Sequence, residues 1–259
     1  IITSGGDWKC ENGKYSYSNF YNGYIYNPAY KDINPVQAQV FETDRKILLD
    51  RQGEKVVEQE RLSPVEIIIT PKGETVLDFG QNMTGYVEVI VKGNHGDRIV
   101  LHHGEVLDKD GNFYNGNMRS AKNENVYVLS GNADVFKPTY SFQGFRYVHL
   151  ARCPEYLIDK NNFKAITVHS DIKRTGEFIC GNEKINQLYH NIIWGQKSNF
   201  LDIPTDCPQR DERQGWTGDA QVFIRTASYN YDVLKFFKKW LNDLKAEQYE
   251  NGAVPDFTP

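Results

Sequence analysis

The sequence has no long apolar run and no excess of positive charge. None of its apolar stretches approaches the roughly 18 residues that a membrane-spanning helix needs, and residues 1–10 lack the basic start and apolar core of a signal peptide. Lys and Arg number 30 against 34 Asp and Glu, so no global positive field would collect nucleic-acid phosphates or anionic lipid. We expect a soluble protein without nucleic-acid or membrane partners. It would be cytoplasmic or, if a leader was removed, periplasmic or secreted, and the sequence leaves its oligomeric state open.

Closely spaced cysteines and the common phosphate, serine and zinc motifs are also missing. The four cysteines are Cys10, Cys153, Cys180 and Cys207. Their spacing excludes paired-cysteine zinc and redox motifs, and there is no glycine-rich phosphate loop, serine nucleophile elbow or zinc-protease helix. His102 and His103 are consecutive on a predicted strand, so they face opposite sides and cannot bind one metal ion. We therefore expect no metal and no cofactor.

About the first two thirds of the chain carry strand patterns. Six segments alternate or are rich in β-formers: 65–70, 85–92, 97–103, 125–129, 139–150 and 163–169. Gly, Asn and Pro separate them without any long amphipathic segment, which predicts an antiparallel β-sandwich domain over residues 63–172. Within residues 1–62 only 36–41 alternates like a strand, so this part is predicted to be an irregular β region, a partial domain.

A helical period replaces the strand period in the rest of the chain. Apolar residues recur every three or four positions over 233–244, which predicts an amphipathic helix capped by Asp232. Weaker helices are predicted around 183–196 and 220–229. The expected fold class is therefore mainly β with a C-terminal α region over 173–259. Because three helices do not enclose a ligand site, we expect this region to be truncated.

One stretch, residues 206–219, concentrates reactive side chains between two predicted helices. It holds four carboxylates, two guanidinium groups and one indole. One interpretation is a self-neutralising solvated loop in which Asp219 caps the next helix, the arginines pair with neighbours and Trp216 anchors the core. The other is a sugar site. Glycoside cleavage needs one protonated carboxyl for the leaving oxygen and a second carboxylate opposite it, while Arg forks and an aromatic plane hold the sugar. Spacing alone does not decide between them.

The residues of this stretch resemble a known family. The string DCPQRDERQGWTGD, followed by AQVF, closely resembles the signature of bacterial α-L-rhamnosidases, glycoside hydrolase family 78. Upstream, FGQNMTGYVEV, GEVLDKDGNFYNGNMRSAKNENVYVL and FQGFRYVHL resemble the β-sandwich domain that precedes the catalytic domain in this family. The opening GGDWKC is similar to the family's amino-terminal β region. The resemblance thus covers nearly all of the chain.

The resemblance implies a fold, an activity and roles for individual residues. An (α/α)6 catalytic barrel would begin near residue 175, with only its first helices present. By position, Glu212 matches the general acid. Asp206, Arg210 and Asp219 match residues that hold rhamnose hydroxyls, and Trp216 matches a ring lining the pocket. The implied substrate is a glycoside or oligosaccharide with a terminal α-L-rhamnosyl group, hydrolysed with inversion. The family's general base, a later glutamate, has no counterpart before residue 259, so we expect the chain alone to be inactive or nearly so.

Other interpretations of the same residues stay open or fail on chemistry. A non-catalytic carbohydrate-binding β-sandwich is one alternative function, and phosphorolysis or another inverting glycosidase reaction in a helical barrel is a second. We expect Cys207 to be a packed thiol rather than a nucleophile, because Asp206 is adjacent and no histidine is near in sequence. Asp211 is expected to join a salt bridge. Calcium binding is not expected, because the loop lacks alternate oxygen ligands and a central glycine and its arginines would repel a cation.

Overall fold

One curled sheet of ten strands forms most of the molecule. The structure is a computed structural model that describes residues 4–258. The strands are β1 (Tyr15–Asn19), β2 (Gly23–Tyr26), β3 (Val56–Leu62), β4 (Glu66–Ile69), β5 (Thr75–Lys92), β6 (Arg98–Gly104), β7 (Glu124–Val128), β8 (Ala133–Phe136), β9 (Gln143–Arg152) and β10 (Phe163–Ser170). Eight of them follow the order β1-β2-β7-β6-β9-β5-β10-β3, and β4 and β8 pair with β5. The pairs are antiparallel except β2 with β7, which is parallel.

The long strand β5 organises the sheet, because its 18 residues pair with four other strands. Strands β4 and β8 pair with its two ends, residues 75–78 and 89–92. Strand β9 pairs with residues 76–78 and 83–85, and β10 with residues 85–89. At Gly85 an added Cβ would lie 1.9 Å from the carbonyl oxygen of Ile166, so only glycine allows this close approach of β10. Gly80 has φ +74°, a conformation that glycine adopts at little cost and that lets the strand bend.

The inner face of the curled sheet encloses the main hydrophobic core. Its largest fully buried side chains include Phe79, Tyr127, Phe145 and Phe163. The ring of Tyr127 stacks on Phe136 with centroids 4.8 Å apart. Aromatic pairs of this kind add to the free energy gained from burial of apolar area, so the β-formers that predict the strands also supply the core.

Three helices and short strand pairs complete the chain. The helices are α1 (Glu183–Asn199), α2 (Thr217–Asn230) and α3 (Leu234–Ala246). The short antiparallel pairs are Lys9–Cys10 with Val36–Gln37, Val106–Leu107 with Phe113–Tyr114, Phe200–Leu201 with Ile203–Pro204, and Gly215–Trp216 with Phe257–Thr258. Phe200 stacks on Phe236 of α3 with centroids 4.6 Å apart, within a second buried cluster. No helix within residues 4–258 has the length and apolar character to cross a membrane.

The helical part packs against the outside of the sheet. Leu201 lies in a buried cluster with Tyr86 and Ile166 of the sheet. The Thr84 hydroxyl donates to the carbonyl oxygen of Ser198 at 2.7 Å, and Lys197 of α1 pairs with Glu60 of β3. Hydrophobic contacts and these polar bonds therefore place the segment after α1 against the sheet.

The expected fold class, mainly β with a C-terminal α region, is confirmed. All six predicted strands and all three predicted helices have counterparts. Strands β1, β2, β3 and β8 were not predicted, and the strand expected over 36–41 is limited to Val36–Gln37. Strands from before residue 62 share the sheet with strands from after it, while the division into 1–62, 63–172 and 173–259 stays a prediction.

The predicted cap of α3 is wrong, and the capping role that one interpretation gives to Asp219 is not observed. Val233, not Asp232, is the residue before α3, and its side chain makes no capping bond. The exposed Asp232 instead donates its main-chain N–H to the carbonyl oxygen of Lys173 at 2.9 Å. Likewise α2 begins two residues before Asp219, so that carboxylate lies in the first helical turn and does not cap it. An acidic group there is still favourable, because it faces the positive end of the helix dipole.

Candidate active site

Residues 206–216 form a loop between the 200–204 hairpin and α2, and the loop lies against the sheet. The Asn123 side chain donates from Nδ2 to the carbonyl oxygen of Gln209 at 2.7 Å. An added Cβ on Gly144 of β9 would come within 2.9 Å of both Pro208 and Gln209. The approach of the two segments is thus too close for a larger side chain at position 144.

Arg213 is the main anchor of this loop. Its guanidinium donates to the carbonyl oxygens of Phe20 (2.9 Å) and Phe142 (2.7 Å). Both residues belong to the sheet half, which is the part of the chain, residues 15–170, that forms the ten-stranded sheet. Within the loop it donates to the carbonyl oxygens of Gln209 and Arg210, and it also reaches the Asn123 side-chain oxygen at 2.9 Å. The residue is 4% exposed. Burial lowers the pKa of Arg213 to about 10, so the group remains charged at neutral pH and relies on these five acceptors.

Aromatic rings complete the surroundings of Arg213. The guanidinium carbon lies 5.1 Å from the ring centroids of Phe20 and Phe142 and 5.4 Å from that of Tyr21. Arginine stacks well on aromatic faces because it is planar and weakly hydrated. The expectation that Arg213 pairs with loop neighbours is thus only partly right, since its strongest contacts reach residues about 70 and 190 positions earlier.

Glu212 is held by two guanidinium groups. Arg119 Nη1 and Arg210 Nη2 each lie 2.8 Å from the same oxygen, Glu212 Oε2. The Tyr21 hydroxyl donates to the main-chain oxygen of Glu212 at 3.0 Å, and the Glu212 side chain is 18% exposed. Side chain and main chain of Glu212 are therefore both fixed by residues of the sheet half.

Asp211 makes its contacts with the same segment of the sheet half. Its Oδ2 accepts from the main-chain N–H of Ser120 at 3.2 Å and from the Ser120 hydroxyl, and Arg119 Nε lies 3.6 Å from its other oxygen. Hydrogen bonds from Ser120, together with the charge of Arg119, hold the pKa of Asp211 below its usual value. The expectation that Asp211 joins a salt bridge is confirmed.

Asp206 closes the loop at its base. Its main-chain N–H donates to the Gln214 oxygen, and its Oδ1 accepts from the Gln214 N–H, both at 2.9 Å. Its buried Oδ2 has no hydrogen-bond partner among the described residues, and the nearest cationic atom is Arg210 Nη2 at 3.9 Å. Arg210 Nε and Trp216 Nε1 are likewise buried and without a partner there. Buried polar atoms are rarely left unbonded, yet these three atoms are unsatisfied in the described part of the chain.

A cavity of about 320 Å³ adjoins the loop. Asp206 and Asp219 line it together with Gln196, Asn199 and Thr205. Asp219 is exposed in the first turn of α2, and the Trp216 ring lies 5.0 Å from that of Phe257. Contacts thus join Glu212 to Arg210 and Arg210 to Asp206, while Asp206 and Asp219 share only the lining of this cavity, to which Glu212, Arg210 and Trp216 do not contribute. Trp216 is close to these residues in sequence, and its ring packs against that of Phe257.

The donor atoms of Asp206, Cys207 and Glu212 lie within 4.8 Å of one another. This set does not suit a metal ion, because two guanidinium groups already contact Glu212 Oε2 and would repel a cation there. In addition, burial raises the pKa of the Cys207 thiol to about 11, whereas a thiol binds metal as the thiolate. Cys207 is buried, as expected for a packed thiol.

Sequence reasoning missed the residues that the sheet half contributes. Arg119, Ser120, Tyr21 and Asn123 lie 86 to 191 positions from their partners in the loop. Arg119 and Ser120 do fall within a stretch that resembles the family's sandwich domain, but no local pattern there indicates contact with the acidic loop. Only the fold brings the two segments together.

Two family models match the chain in sequence order. Residues 68–169 match the bacterial alpha-L-rhamnosidase concanavalin-like domain, and residues 173–259 match the bacterial alpha-L-rhamnosidase 6 hairpin glycosidase domain. An alpha-L-rhamnosidase of Formosa agariphila is 35% identical over 271 residues, which cover 100% of this chain and 29% of the relative.

Solved structures show the same fold. The native alpha-L-rhamnosidase from Aspergillus terreus aligns with a TM-score of 0.92 at 35% identity, over 99% of this chain and 31% of that one. The Streptomyces avermitilis alpha-L-rhamnosidase complexed with L-rhamnose aligns with a TM-score of 0.89 at 34% identity, over 100% and 26%. The chain therefore spans about 30% of the length of such proteins. Since its two domain types, their order and its fold all agree with these proteins, the chain belongs to the bacterial α-L-rhamnosidase family.

Proposed function

We propose that this chain supplies the general-acid half of an enzyme that hydrolyses terminal α-L-rhamnosyl linkages in glycosides and oligosaccharides with inversion. The observation that carries the proposal is the convergence of Glu212, Arg210 and Asp206. Glu212 is fixed by two guanidinium groups, and unpartnered polar atoms of Asp206 and Arg210 lie beside it. A hydroxyl-rich sugar would satisfy such atoms, and the S. avermitilis relative is known in complex with L-rhamnose.

Glu212 is the proposed acid, which protonates the glycosidic oxygen as its bond to the anomeric carbon breaks. Both guanidinium groups contact Oε2, so we assign the proton transfer to the other oxygen, Oε1. When Oε2 is held in place, Oε1 also has a fixed orientation. Proton transfer to a bound substrate requires such a fixed orientation of the acid.

The remaining residues of the loop are proposed to bind the sugar. Asp206 and Asp219 line one cavity. Their carboxylates can accept hydrogen bonds from the hydroxyl groups of a sugar bound there. Arg210 donates to hydroxyl or ring oxygens, and the Trp216 indole offers a flat apolar face and one N–H donor. We propose that the domains are 1–62, 63–172 and 173–259, so that the cavity belongs to the last of them.

Turnover is proposed to require residues that this chain does not contain. An inverting glycosidase uses a second carboxylate, about 6.5–9.5 Å from the acid, to activate water on the opposite face of the sugar. The resemblance assigns that base to a glutamate later in the helical barrel. Accordingly, we expect the 259-residue chain alone to show no appreciable hydrolysis, and clear hydrolysis by the purified chain would contradict this assignment.

The acid role is tested by Glu212→Gln in the enzyme that carries this chain with the rest of its six-hairpin domain. For an alkyl rhamnoside, a poor leaving group, we expect kcat to fall by about 10²–10⁴-fold. A dinitrophenyl rhamnoside, whose leaving group needs no proton, should lose far less, and rhamnose binding measured by calorimetry should persist. The control is Glu155→Gln, an exposed glutamate in the sheet half. Unchanged turnover of the alkyl substrate in Glu212→Gln would remove Glu212 from the mechanism.

A further inference from the structure

Arg119 brings a charge from the sheet half to the proposed acid. It lies after a short 3-10 turn, Gly116–Met118, and before β7. Its Nη1 donates to Glu212 Oε2 at 2.8 Å, and its Nε lies 3.6 Å from Asp211 Oδ1. Its side chain is 55% exposed, whereas those of Asp211 and Glu212 are 23% and 18% exposed. The guanidinium therefore covers two adjacent carboxylates from the solvent side.

The main chain at Arg119 has an unusual conformation. Its φ of 57° and ψ of −119° fall in a region that residues with a Cβ seldom adopt, and such strain persists only where the surroundings impose it. Here the preceding Met118 is buried, at 1% exposure. The main-chain N–H of Ala121 also donates to the Met118 oxygen at 3.1 Å. These contacts hold the turn in a shape that aims Arg119 at the loop.

The next residue contributes to the same contact. Ser120 donates its main-chain N–H and its hydroxyl to Asp211 Oδ2. Two consecutive residues of the sheet half thus hold two consecutive acids of the loop, with Ser120 on Asp211 and Arg119 on both. This pairing fixes the direction of the main chain at Asp211 and Glu212 as well as the rotamer of Glu212.

A purely structural role does not account for Arg119. Ion pairs with an exposed partner contribute little to stability, and Arg213 already ties the loop to the sheet through five hydrogen bonds. The strained main chain at Arg119 is therefore kept although its ion pairs add little to the stability of the fold. Strain of this kind is typical of functional positions.

We infer that Arg119 is a positioning residue for the reaction, and this inference rests on the proposed acid role of Glu212. Arg210 and Arg119 bind the same oxygen of Glu212. When Arg210 turns to a sugar hydroxyl, Arg119 keeps Oε2 fixed, so that Oε1 stays directed at the glycosidic oxygen. The sheet half thereby takes part in catalysis through Glu212, without touching the reacting atoms.

The test compares Arg119→Met and Arg119→Lys in the same full-length enzyme, with Arg152→Met, an exposed arginine at the end of β9, as the control. For an alkyl rhamnoside we expect Arg119→Met to lower kcat by about 10- to 100-fold, the size of loss that misplacing a reacting group can cause, with KM changed less than about threefold. For a dinitrophenyl rhamnoside the loss should stay below about threefold, because no proton needs to be delivered. Arg119→Lys should recover part of the alkyl activity, and Arg152→Met should match the wild type.

An equal loss on both substrates, or no loss on the alkyl rhamnoside, would overturn the inference. The thermal midpoint of Arg119→Met is measured alongside and should stay within a few degrees of the wild type, as expected for an exposed pair. The two proposals fail separately. If Glu212→Gln has no effect, the acid role fails, whereas a leaving-group-dependent loss in Glu212→Gln without one in Arg119→Met refutes only the positioning role.

Discussion

Replacing Arg213 by methionine should destabilise the protein far more than replacing an exposed arginine. Methionine keeps the apolar contact with the rings of Phe20, Tyr21 and Phe142 but removes five hydrogen bonds. Four of the acceptors then lack a donor, because the Gln209 oxygen keeps its bond from Asn123. An unsatisfied buried polar group costs about 1–3 kcal/mol. If water or local rearrangement satisfies two of these four, the remaining two still cost roughly 2–6 kcal/mol.

Thermal unfolding followed by circular dichroism measures this loss. For a chain of this size about 1 kcal/mol shifts the midpoint by roughly 2–4 °C, so Arg213→Met should melt at least about 4 °C below the wild type. Trypsin gives a local measure, because a detached loop exposes the bond after Arg210 and should be cut there sooner. The matched control is Arg225→Met on α2, where the arginine is exposed and the expected change is within about 0.5 kcal/mol.

The reasoning would be refuted by a midpoint for Arg213→Met within about 2 °C of that of Arg225→Met, together with an unchanged rate of cleavage after Arg210. Such a result would mean that the free energy gained from the five hydrogen bonds of the guanidinium is no larger than the free-energy cost of burying its charge. Buried charges can behave in this way when desolvation cancels the hydrogen bonds.

Two further predictions concern groups near the loop. Burial lowers the pKa of His103 to about 4, so its contribution to stability is complete above about pH 6.5 and is lost as the pH falls towards 4, because the unfolded chain takes up the proton first. At about 1.36 kcal/mol per pH unit, His103 alone should contribute about 3 kcal/mol to the fall in stability over this interval. In urea unfolding His103→Gln should therefore show a fall clearly smaller than that of the wild type; equal falls would contradict the assignment. Burial also raises the pKa of Cys207 to about 11, whereas Cys10 is exposed, so with a disulfide reagent at pH 8 Cys10→Ser should remove a fast phase and Cys207→Ser only a slow one. Loss of the fast phase in Cys207→Ser would show that this thiol is accessible.

The sequence predicts the fold class and the composition of the loop because both depend on local patterns. Alternating β-formers reveal strands such as β6 and β10, and the spacing of apolar residues reveals α3. The string from Asp206 to Asp219 carries its own resemblance, so the site residues can be proposed before their positions are known. The comparisons confirm the family, while the individual roles stay proposals.

Features that depend on distant partners could not be predicted. Strands β1 and β2 lie in a segment rich in Tyr, Ser, Asn and Gly, and β2 becomes a strand through its parallel pairing with β7. The predicted strand at 85–92 extends back to Thr75 because Gly80, which normally marks a turn, bends the strand instead of ending it. No local pattern reveals the partners of Arg119 and Arg213, because these partners lie far away in the sequence.

The parallel pairing of β2 with β7 has a consequence for how the chain folds as it is synthesised. Gly23 pairs with Glu124, so the β1–β2 hairpin emerges about 100 residues before its neighbour and presents an open edge during that time. Open edges recruit strands of other chains, and a topology with such distant pairings folds slowly. The hydrogen bonds of Tyr21 with Glu212 and of Phe20 with Arg213 join residues that are still farther apart in the sequence. The contacts that hold the 206–216 loop on the sheet can therefore form only after about 190 further residues have been synthesised.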